Sequence, residues 1–336
     1  ILKNKKRKIT IIGATSGDTG SAAIDACKDK DNINIFILHP KNKTSDIQRK
    51  QMTTIMSKNV FNIAIDGTFD DCQNIVKSLF VSDDLKKITT LSAINSINWA
   101  RIMSQSVYFF WAYLQADQFK KKVNFVVPTG NFGNVYAAHI SNIMGLPINK
   151  LYVATNSNDI MHRTITSGDM SLKKVKSTLS PSMDIQISSN FERQLFESLN
   201  YNSKELKELM KLFRENNKYN LKGKIHDDLR NYYRSKGVND NLTTKTIIEY
   251  FEQYKYISDP HTATSLNILN DLNNEFINIS LACAHPAKFP DSIKKSIGIY
   301  PDQPELLKEI MSSEERFINM DNSLDKVKKY IIENIS

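Results

Sequence analysis

Short apolar runs rich in β-branched residues alternate along the chain with stretches in which apolar residues recur every three or four positions. The first pattern is typical of buried strands and the second of amphipathic helices. The early strands are KITIIGA, INIFILHP, NVFNIAID and VNFVVP, and the helices between them include SAAIDACKD, DDCQNIVKSLF and NWARIMSQSVYFFWAYLQ. This alternation predicts an α/β fold built on open, mainly parallel sheets.

The length of the chain favours two lobes. Its 336 residues can form two ordinary hydrophobic cores. We expect a smaller α/β lobe over residues 8–117 and a larger lobe over residues 118–336. Between about residues 191 and 256 the sequence becomes charged and helical, as in SKELKELMKLFRENNKY, which predicts a helical insertion in the larger lobe.

Two glycine-rich stretches stand at the carboxyl ends of predicted strands, where parallel sheets bind their ligands. ATSGDTGS follows the first strand, and PTGNFGN follows VNFVVP. Each leads into a helix, whose N-terminal N–H groups and dipole favour an anion. Neither stretch fits a Walker A loop or the dinucleotide fingerprint. The residues alone leave a phosphate, a carboxylate or a purely structural turn open.

Three further motifs each have a structural interpretation beside a functional one. In NSINWAR, Asn98 or Ser96 can act simply as the N-cap of the long helix. SDPHTATS and CAHPAKF place His261 and His285 beside prolines, and neither has a nucleophile at a catalytic spacing.

Composition excludes several classes of function. The net charge of +9 comes from lysines scattered among acids, which indicates a solvated surface and no nucleic-acid partner. No apolar run reaches the roughly 20 residues of a membrane helix. Cys27, Cys72 and Cys283 are odd in number and far apart, so we expect no disulfide framework and no metal site, and the cytosol is the simplest compartment.

Taken in order, the motifs resemble the threonine synthase family, in the long form found in fungi and many bacteria. They are ATSGDTGSAA, GTFDDCQNIVK, NSINWARI, VVPTGNFGN, LPINKLYVATNSNDI, TLSPSMDI, SSNFERQLFE, DPHTA and AHPAKF, between Lys8 and Phe289. The resemblance implies a pyridoxal-phosphate enzyme of the tryptophan-synthase β-like fold (fold type II). Such enzymes convert O-phospho-L-homoserine and water to L-threonine and phosphate.

The resemblance also implies roles for individual residues. The first turn would receive the substrate carboxylate through Thr15, Ser16, Gly17, Asp18 and Thr19. The second turn would hold the cofactor phosphate through Gly130, Asn131, Phe132, Gly133 and Asn134. Cys283 stands where the family places a residue facing the pyridine nitrogen of the cofactor. Candidates for binding the substrate phosphate are Asn95, Ser96, Arg101 and Lys288.

Three departures from the family pattern affect the interpretation. The family has Thr at the position of Cys283 and Asp at the position of Asn134. Its cofactor-binding lysine lies in an AFKD-type segment upstream of the first glycine turn, and the 336 residues contain no such segment. We expect coding sequence before Ile1 that supplies this lysine, so the catalytic residue is not assigned.

Two other functions stay open as alternatives. A catalytically inactive homologue with a binding or assembly role is the main one. A serine/threonine dehydratase of the same fold is disfavoured, since those enzymes lack the combination of NSINWAR with HPAKF.

Overall fold

The computed structural model describes residues 8–15, 17–95, 97–116 and 121–335. In the first part of the chain the elements are β1 (Ile9–Ala14), α1 (Asp18–Cys27), β2 (Ile33–Pro40), α2 (Asp46–Thr53), β3 (Val60–Asp66), α3 (Phe69–Val81), α4 (Asp83–Ile88), β4 (Thr90–Ala93), α5 (Trp99–Gln115), β5 (Val123–Pro128), α6 (Gly133–Ile143), β6 (Ile148–Thr155) and α7 (Ile160–Ser167). They are followed by α8 (Phe191–Ser198), α9 (Ser203–Asn216), α10 (Lys224–Tyr232), β7 (Tyr233–Gly237), α11 (Asp240–Tyr254), α12 (Pro260–Leu269), β8 (Ile277–Ser280), α13 (Pro290–Ile297), α14 (Glu305–Ser312), β9 (Ile318–Asp321) and α15 (Leu324–Glu333).

The strands form two sheets, and every strand pair in them is parallel. The first sheet has the order β4-β1-β2-β3-β9, and the second has the order β7-β6-β5-β8. The predicted fold of open parallel sheets with intervening helices is therefore confirmed.

The first sheet is covered by helices on both faces. Successive side chains of a strand point to opposite faces. In β2, Ile35 and Ile37 pack in one core cluster with Ile24 of α1, whereas Phe36 and Leu38 pack in another with residues of α3 and α15. A strand that is apolar on both faces explains the continuous run INIFILHP.

The second sheet has the same layered construction. Phe125 and Val127 of β5 belong to a large core cluster with Phe109 of α5 and Val135 of α6. On the opposite face, Val126 packs with Ile268 of α12. The carboxyl end of β5 is therefore held rigidly where the second glycine-rich turn begins.

The compact units of the structure have other boundaries than the expected lobes. One unit comprises Ile1–Asn95 with Gln303–Ser336, and the other comprises Ser96–Asp302. Helix α5 belongs to the second unit because it packs on α6 and β5, with the rings of Phe109 and Phe125 5.0 Å apart. The C-terminal segment belongs to the first unit because β9 pairs with β3.

The segment between residues 191 and 256 is mainly helical, as expected, and is also part of the second unit's core. It contains α8 to α11 and contributes strand β7, which pairs with β6. The side chain of Tyr233 is fully buried there, and its hydroxyl donates a hydrogen bond to Gln194 at 2.6 Å. The segment therefore helps to build the sheet that carries the second turn.

Helix α5 exposes an apolar stripe at helical spacing. Trp99, Met103, Val107, Trp111 and Leu114 are 46%, 52%, 68%, 62% and 50% exposed. The opposite face of the helix is buried in the core.

Candidate functional site

The first glycine turn joins β1 to α1 and is organised by the hydroxyl of Thr15. That buried hydroxyl accepts hydrogen bonds from the backbone N–H groups of Gly17 at 3.0 Å and Gly20 at 3.2 Å. A Cβ on Gly20 would lie 2.3 Å from Cγ2 of Thr15, so this approach requires glycine. Gly17 caps α1, while Asp18 and Thr19 begin its first turn. Ser16 lies outside the described residues.

The second glycine turn joins β5 to α6. Phe132 caps the helix in the left-handed conformation, with φ of 62°, and its ring is buried against Phe191 and Tyr233. Gly133 and Asn134 open the first turn of α6. An α-helix leaves the N–H groups of its first turn without intrahelical acceptors, so this end favours an anion.

A polar segment of residues 178–190, which we call the support loop, packs against the second turn. The hydroxyl of Ser188 donates to the carbonyl of Gly130, and the backbone and side-chain N–H groups of Asn190 both donate to the carbonyl of Asn131 at 3.1 Å. A Cβ on Gly130 would lie 2.8 Å from the carbonyl oxygen of Ser182. Only glycine allows the loop to approach the turn this closely.

These hydrogen bonds also fix the direction of the turn's donors. In a trans peptide unit the N–H points opposite to the C=O, and the described residues contain no cis peptide bond. The carbonyls of Gly130 and Asn131 point to the support loop. The N–H groups of Asn131 and Phe132, in the same two peptide units, therefore point away from it.

The support loop is itself fixed to the end of β6. Oδ1 of Asp184 accepts hydrogen bonds from the side chains of Asn156 at 2.8 Å, Asn158 at 2.9 Å and Thr178 at 2.6 Å. Burial raises the pKa of Asp184, against the opposing effect of the bond from Thr178. The NSN sequence after β6 is thus the anchor of the loop that presses on the second turn.

Cys283 follows β8, the strand next to β5, so it lies at the same edge of the sheet as the second turn. It is exposed to solvent, but surrounding atoms limit the hydration of its thiol and, together with the charge of Asp259, raise its pKa to about 12. The side chain is therefore a neutral thiol at physiological pH.

Tyr108 is a site residue that the sequence did not reveal. Its hydroxyl donates a hydrogen bond to Oδ1 of Asn134 at 2.8 Å. Burial raises its pKa, and nearby Cys283 adds to this effect. Tyr108, Asn134 and Cys283 thus form a group at the end of the second sheet. Nothing in the sequence of α5 distinguishes its hydroxyl from that of Tyr113 in the same helix, so no local signal could have indicated Tyr108.

The histidines and Asn98 have the structural roles that the sequence left open. Asn98 caps α5 by accepting from the N–H of Ala100 at 2.9 Å. His285 caps a short 3-10 turn by accepting from the N–H of Ala287 at 3.1 Å. His261 is buried within a polar network.

The candidates for the substrate phosphate come from different parts of the chain. Arg101 lies in the first turn of α5, where burial lowers its pKa, and Lys288 ends the 3-10 turn after β8. Asn95 follows β4 in the first unit, and Ser96 lies outside the described residues. The backbone before α5 is held by Arg193, whose guanidinium donates to the carbonyl of Ile97 at 2.8 Å and lies over the ring of Trp99.

The described part of the chain contains no group of three or more side chains able to hold a metal ion. Among its helices, none has the length and apolarity needed to span a bilayer.

Comparison with known proteins decides which family uses this arrangement. A family profile described as "Pyridoxal-phosphate dependent enzyme" matches residues 1–224, and one described as "Threonine synthase, C-terminal" matches residues 262–331. The threonine synthase of Pseudomonas aeruginosa is 43% identical over 334 residues, covering 98% of this chain and 71% of that protein. This chain belongs to the threonine synthase family. Its function is that of a threonine synthase, a lyase that depends on pyridoxal phosphate.

A solved structure agrees in fold as well as in sequence. The pyridoxal-phosphate-bound threonine synthase from Brucella melitensis superposes with a TM-score of 0.95 at 41% identity, covering 99% of this chain and 72% of that one. The threonine synthase-like 2 protein of Xenopus laevis is 36% identical over 342 residues, covering 100% of this chain and 72% of that protein.

Proposed function

We propose that the second glycine turn holds the phosphate of pyridoxal phosphate and that the substrate of the chain is O-phospho-L-homoserine. The observation that carries the first part is the pair of carbonyls bound to the support loop. They turn the N–H groups of Asn131 and Phe132 away from the loop, beside the N-terminus of α6. Backbone donors and a helix dipole suit a phosphate dianion.

The donor chemistry at the other end of the cofactor also fits. Pyridoxal phosphate, when bound, serves as an electron sink for the reacting carbon atoms of an amino acid. Cys283 provides a neutral partner for its ring nitrogen, because its thiol keeps its proton at physiological pH. A neutral partner leaves the nitrogen unprotonated. Sulfur is a weaker hydrogen-bond partner than the hydroxyl that the family has there.

For the substrate we assign two regions of the chain. The first turn of α1, with Gly17, Asp18 and Thr19, receives the carboxylate. The hydroxyl of Thr15 is already engaged with Gly17 and Gly20, so its role is to shape the turn. Ser16 is proposed from the family resemblance alone.

The substrate phosphate is assigned to Arg101 and Lys288, with Asn95 and Ser96 as additional donors. A dianion needs cations at close range, and arginine keeps its charge even when burial lowers its pKa. The cytosolic location expected from the cysteine pattern stays a prediction.

The phosphate turn is tested by comparing two glycines of the same unit. Gly130→Ala places a Cβ 2.8 Å from the backbone oxygen of Ser182, so the turn or the support loop must shift. Gly237→Ala is the matched control, because its Cβ meets no atom closer than 3.7 Å. We expect Gly130→Ala to bind pyridoxal phosphate at least tenfold more weakly by fluorescence titration, and Gly237→Ala to bind it normally.

Titration with pyridoxal, which lacks the phosphate, shows whether the weaker binding of Gly130→Ala arises from lost contacts with the phosphate. Gly130→Ala should lose most of the preference for pyridoxal phosphate over pyridoxal. Equal preference in Gly130→Ala and the unsubstituted chain would mean that the phosphate binds elsewhere.

The substrate assignment has its own test. We expect Arg101→Gln and Lys288→Gln to weaken binding of O-phospho-L-homoserine in calorimetry and to leave binding of L-homoserine unchanged. An equal loss for both ligands would argue against a phosphate contact.

A further inference from the structure

The DPHTA motif opens α12 with polar side chains that are almost completely buried. Asp259, His261 and Thr262 are 1%, 5% and 2% exposed. Burying such groups is costly unless each is hydrogen-bonded. None of the three belongs to the proposed cofactor or substrate site, so their burial has another cause.

One end of this network contacts the support loop. Nε2 of His261 accepts a hydrogen bond from the backbone N–H of Ser182 at 3.2 Å. An accepting Nε2 carries no proton, so the ring is neutral and its proton is on Nδ1. Nδ1 lies 3.0 Å from Oδ1 of Asp259, to which it donates.

The other end of the network contacts the segment that carries Cys283. The hydroxyl of Thr262 donates to Oδ2 of Asp259 and accepts the backbone N–H of Cys283 at 2.9 Å. The N–H of Ala284 also donates to Oδ2 of Asp259, at 3.3 Å. Burial alone would raise the pKa of Asp259, but hydrogen bonds from His261 and Thr262 outweigh it and keep this pKa low. Asp259 is thus a carboxylate with donors from both sides.

We propose that Asp259 and His261 are a positioning pair that fixes the Cys283 segment relative to the support loop and, through that loop, relative to the phosphate turn. The inference rests on the proposed function, in which these two places hold opposite ends of one rigid cofactor. A rigid ligand bound at both ends needs their separation to be fixed, and a buried chain of hydrogen bonds fixes it.

Two replacements of His261 separate its hydrogen bond with Ser182 from its hydrogen bond with Asp259. Asparagine places an amide near the position of Nδ1, so His261→Asn keeps the donor to Asp259 and loses the acceptor for Ser182. Glutamine reaches the position of Nε2, so His261→Gln keeps the acceptor for Ser182 and loses the donor to Asp259. Both replacements remove the same ring, which makes each a control for the other.

The alkylation rate of Cys283 reports on the Cys283 end of this hydrogen-bond network. It can be measured without any cofactor. Cys27 and Cys72 are buried, so iodoacetamide at fixed pH reacts first with Cys283, and peptide mapping identifies the product. We expect His261→Gln to change this rate severalfold, because it withdraws a donor from Asp259, whose carboxylate also accepts from Thr262 and from the N–H of Ala284. His261→Asn should leave the rate unchanged and weaken binding of pyridoxal phosphate.

Three further variants guard against simple destabilisation. Thr262→Val removes the hydroxyl that joins Asp259 to Cys283, and Thr262→Ser retains it. Thr264→Val makes the same change on the same buried helix, where the hydroxyl donates to the carbonyl of His261 at 2.7 Å. We expect Thr262→Val to raise the alkylation rate and weaken pyridoxal-phosphate binding, whereas Thr262→Ser and Thr264→Val should leave both unchanged.

The outcomes distinguish the positioning pair from the proposed function. The positioning pair is disproved if Cys283 is alkylated at the same rate in His261→Gln as in the unsubstituted chain. It is also disproved if Thr262→Val and Thr264→Val have the same alkylation rate and the same affinity for pyridoxal phosphate. Failure of the unsubstituted chain to prefer pyridoxal phosphate over pyridoxal would instead refute the proposed phosphate turn. The alkylation rates would still decide whether the hydrogen-bond chain acts as stated.

Discussion

The hydroxyl of Tyr108 donates a hydrogen bond to Oδ1 of Asn134 across 2.8 Å, joining α5 to the first turn of α6. Asn134 replaces the Asp of the family pattern and keeps a carbonyl that can accept this bond. The raised pKa of Tyr108 ensures that the hydroxyl carries its proton at physiological pH. The contact therefore survives the loss of a charge at position 134.

Replacing Tyr108 with Phe removes this donor, which also lies 3.1 Å from Oε1 of Gln105, and keeps the ring. We expect a loss of about 0.5–1.5 kcal/mol in the free energy of unfolding, the usual net value of one hydrogen bond. Urea unfolding of Tyr108→Phe, Asn134→Ala and the double variant forms a double-mutant cycle. Additive losses would show that the two side chains do not interact in solution.

Labelling with borohydride tests whether this chain holds pyridoxal phosphate through a lysine. The 336 residues lack the AFKD-type segment, so we expect reversible binding, no lysine labelled stoichiometrically and no formation of threonine from O-phospho-L-homoserine. Reduction followed by peptide mass mapping makes the measurement. Stoichiometric labelling of one lysine, such as Lys288, together with threonine formation would show that the catalytic lysine is in these residues.

The ion pair between Arg49 and Glu315 ties the C-terminal segment to the first unit. Nε and Nη2 of Arg49 lie 2.9 Å and 3.0 Å from the two carboxylate oxygens of Glu315, and Thr53 donates to the same carboxylate at 2.7 Å. The hydrogen bond from Arg49 is the main reason why the pKa of Glu315 is below its usual value. We expect Glu315→Gln to cost about 1–3 kcal/mol of unfolding free energy at pH 7.

This loss should depend on pH with a definite sign. A carboxyl whose pKa is lowered by folding stabilises the protein above its unfolded pKa, and the contribution disappears as the pH falls through the folded pKa. The gap between the unsubstituted chain and Glu315→Gln should therefore narrow below about pH 4.3, the ordinary value for glutamate. Glu305→Gln, in an exposed pair with Lys308, is the control and should change stability little. A pH-independent gap would contradict the assignment.

The apolar stripe of α5 predicts how the isolated chain behaves in solution. Contiguous exposed apolar surface promotes association. We expect Val107→Lys and Trp111→Lys to reduce the binding of a dye specific for apolar surface and to reduce self-association in sedimentation experiments. Neither replacement should lower stability, since both side chains are mostly exposed. Leu212→Lys, at an exposed position of α9, is the control. Unchanged self-association in the α5 variants would mean that the stripe is not the surface through which copies of the chain associate.

The sequence predicted the elements of the fold that have a clear local hydrophobic pattern. Strands β1, β2, β3 and β5 are predominantly apolar because both faces of their sheets are covered by helices. Strand β7 has the sequence YRSKG, in which only Tyr233 is buried, so no hydrophobic pattern marks it. Strand β9 is four residues long and pairs with β3, which is far away in the sequence.

The candidate site likewise has parts that the local sequence predicts and parts that depend on tertiary contacts. Both glycine turns could be found because a strand, a turn and a helix start are consecutive in the sequence. The support loop could not, since its hydrogen bonds to Gly130, Asn131 and His261 are tertiary contacts of an irregular polar segment. The sequence could single out His261, but its neutral state follows only from the N–H of Ser182 facing Nε2.

The pairing of β9 with β3 has a consequence for biosynthesis. A ribosome releases the residues of the second unit before it has made the edge strand of the first sheet. Until then β3 presents an open edge, the feature by which nascent sheets recruit chaperones or other chains. We therefore expect the second unit to fold first during translation and the first unit to close last, although four of its strands precede the second unit in the sequence.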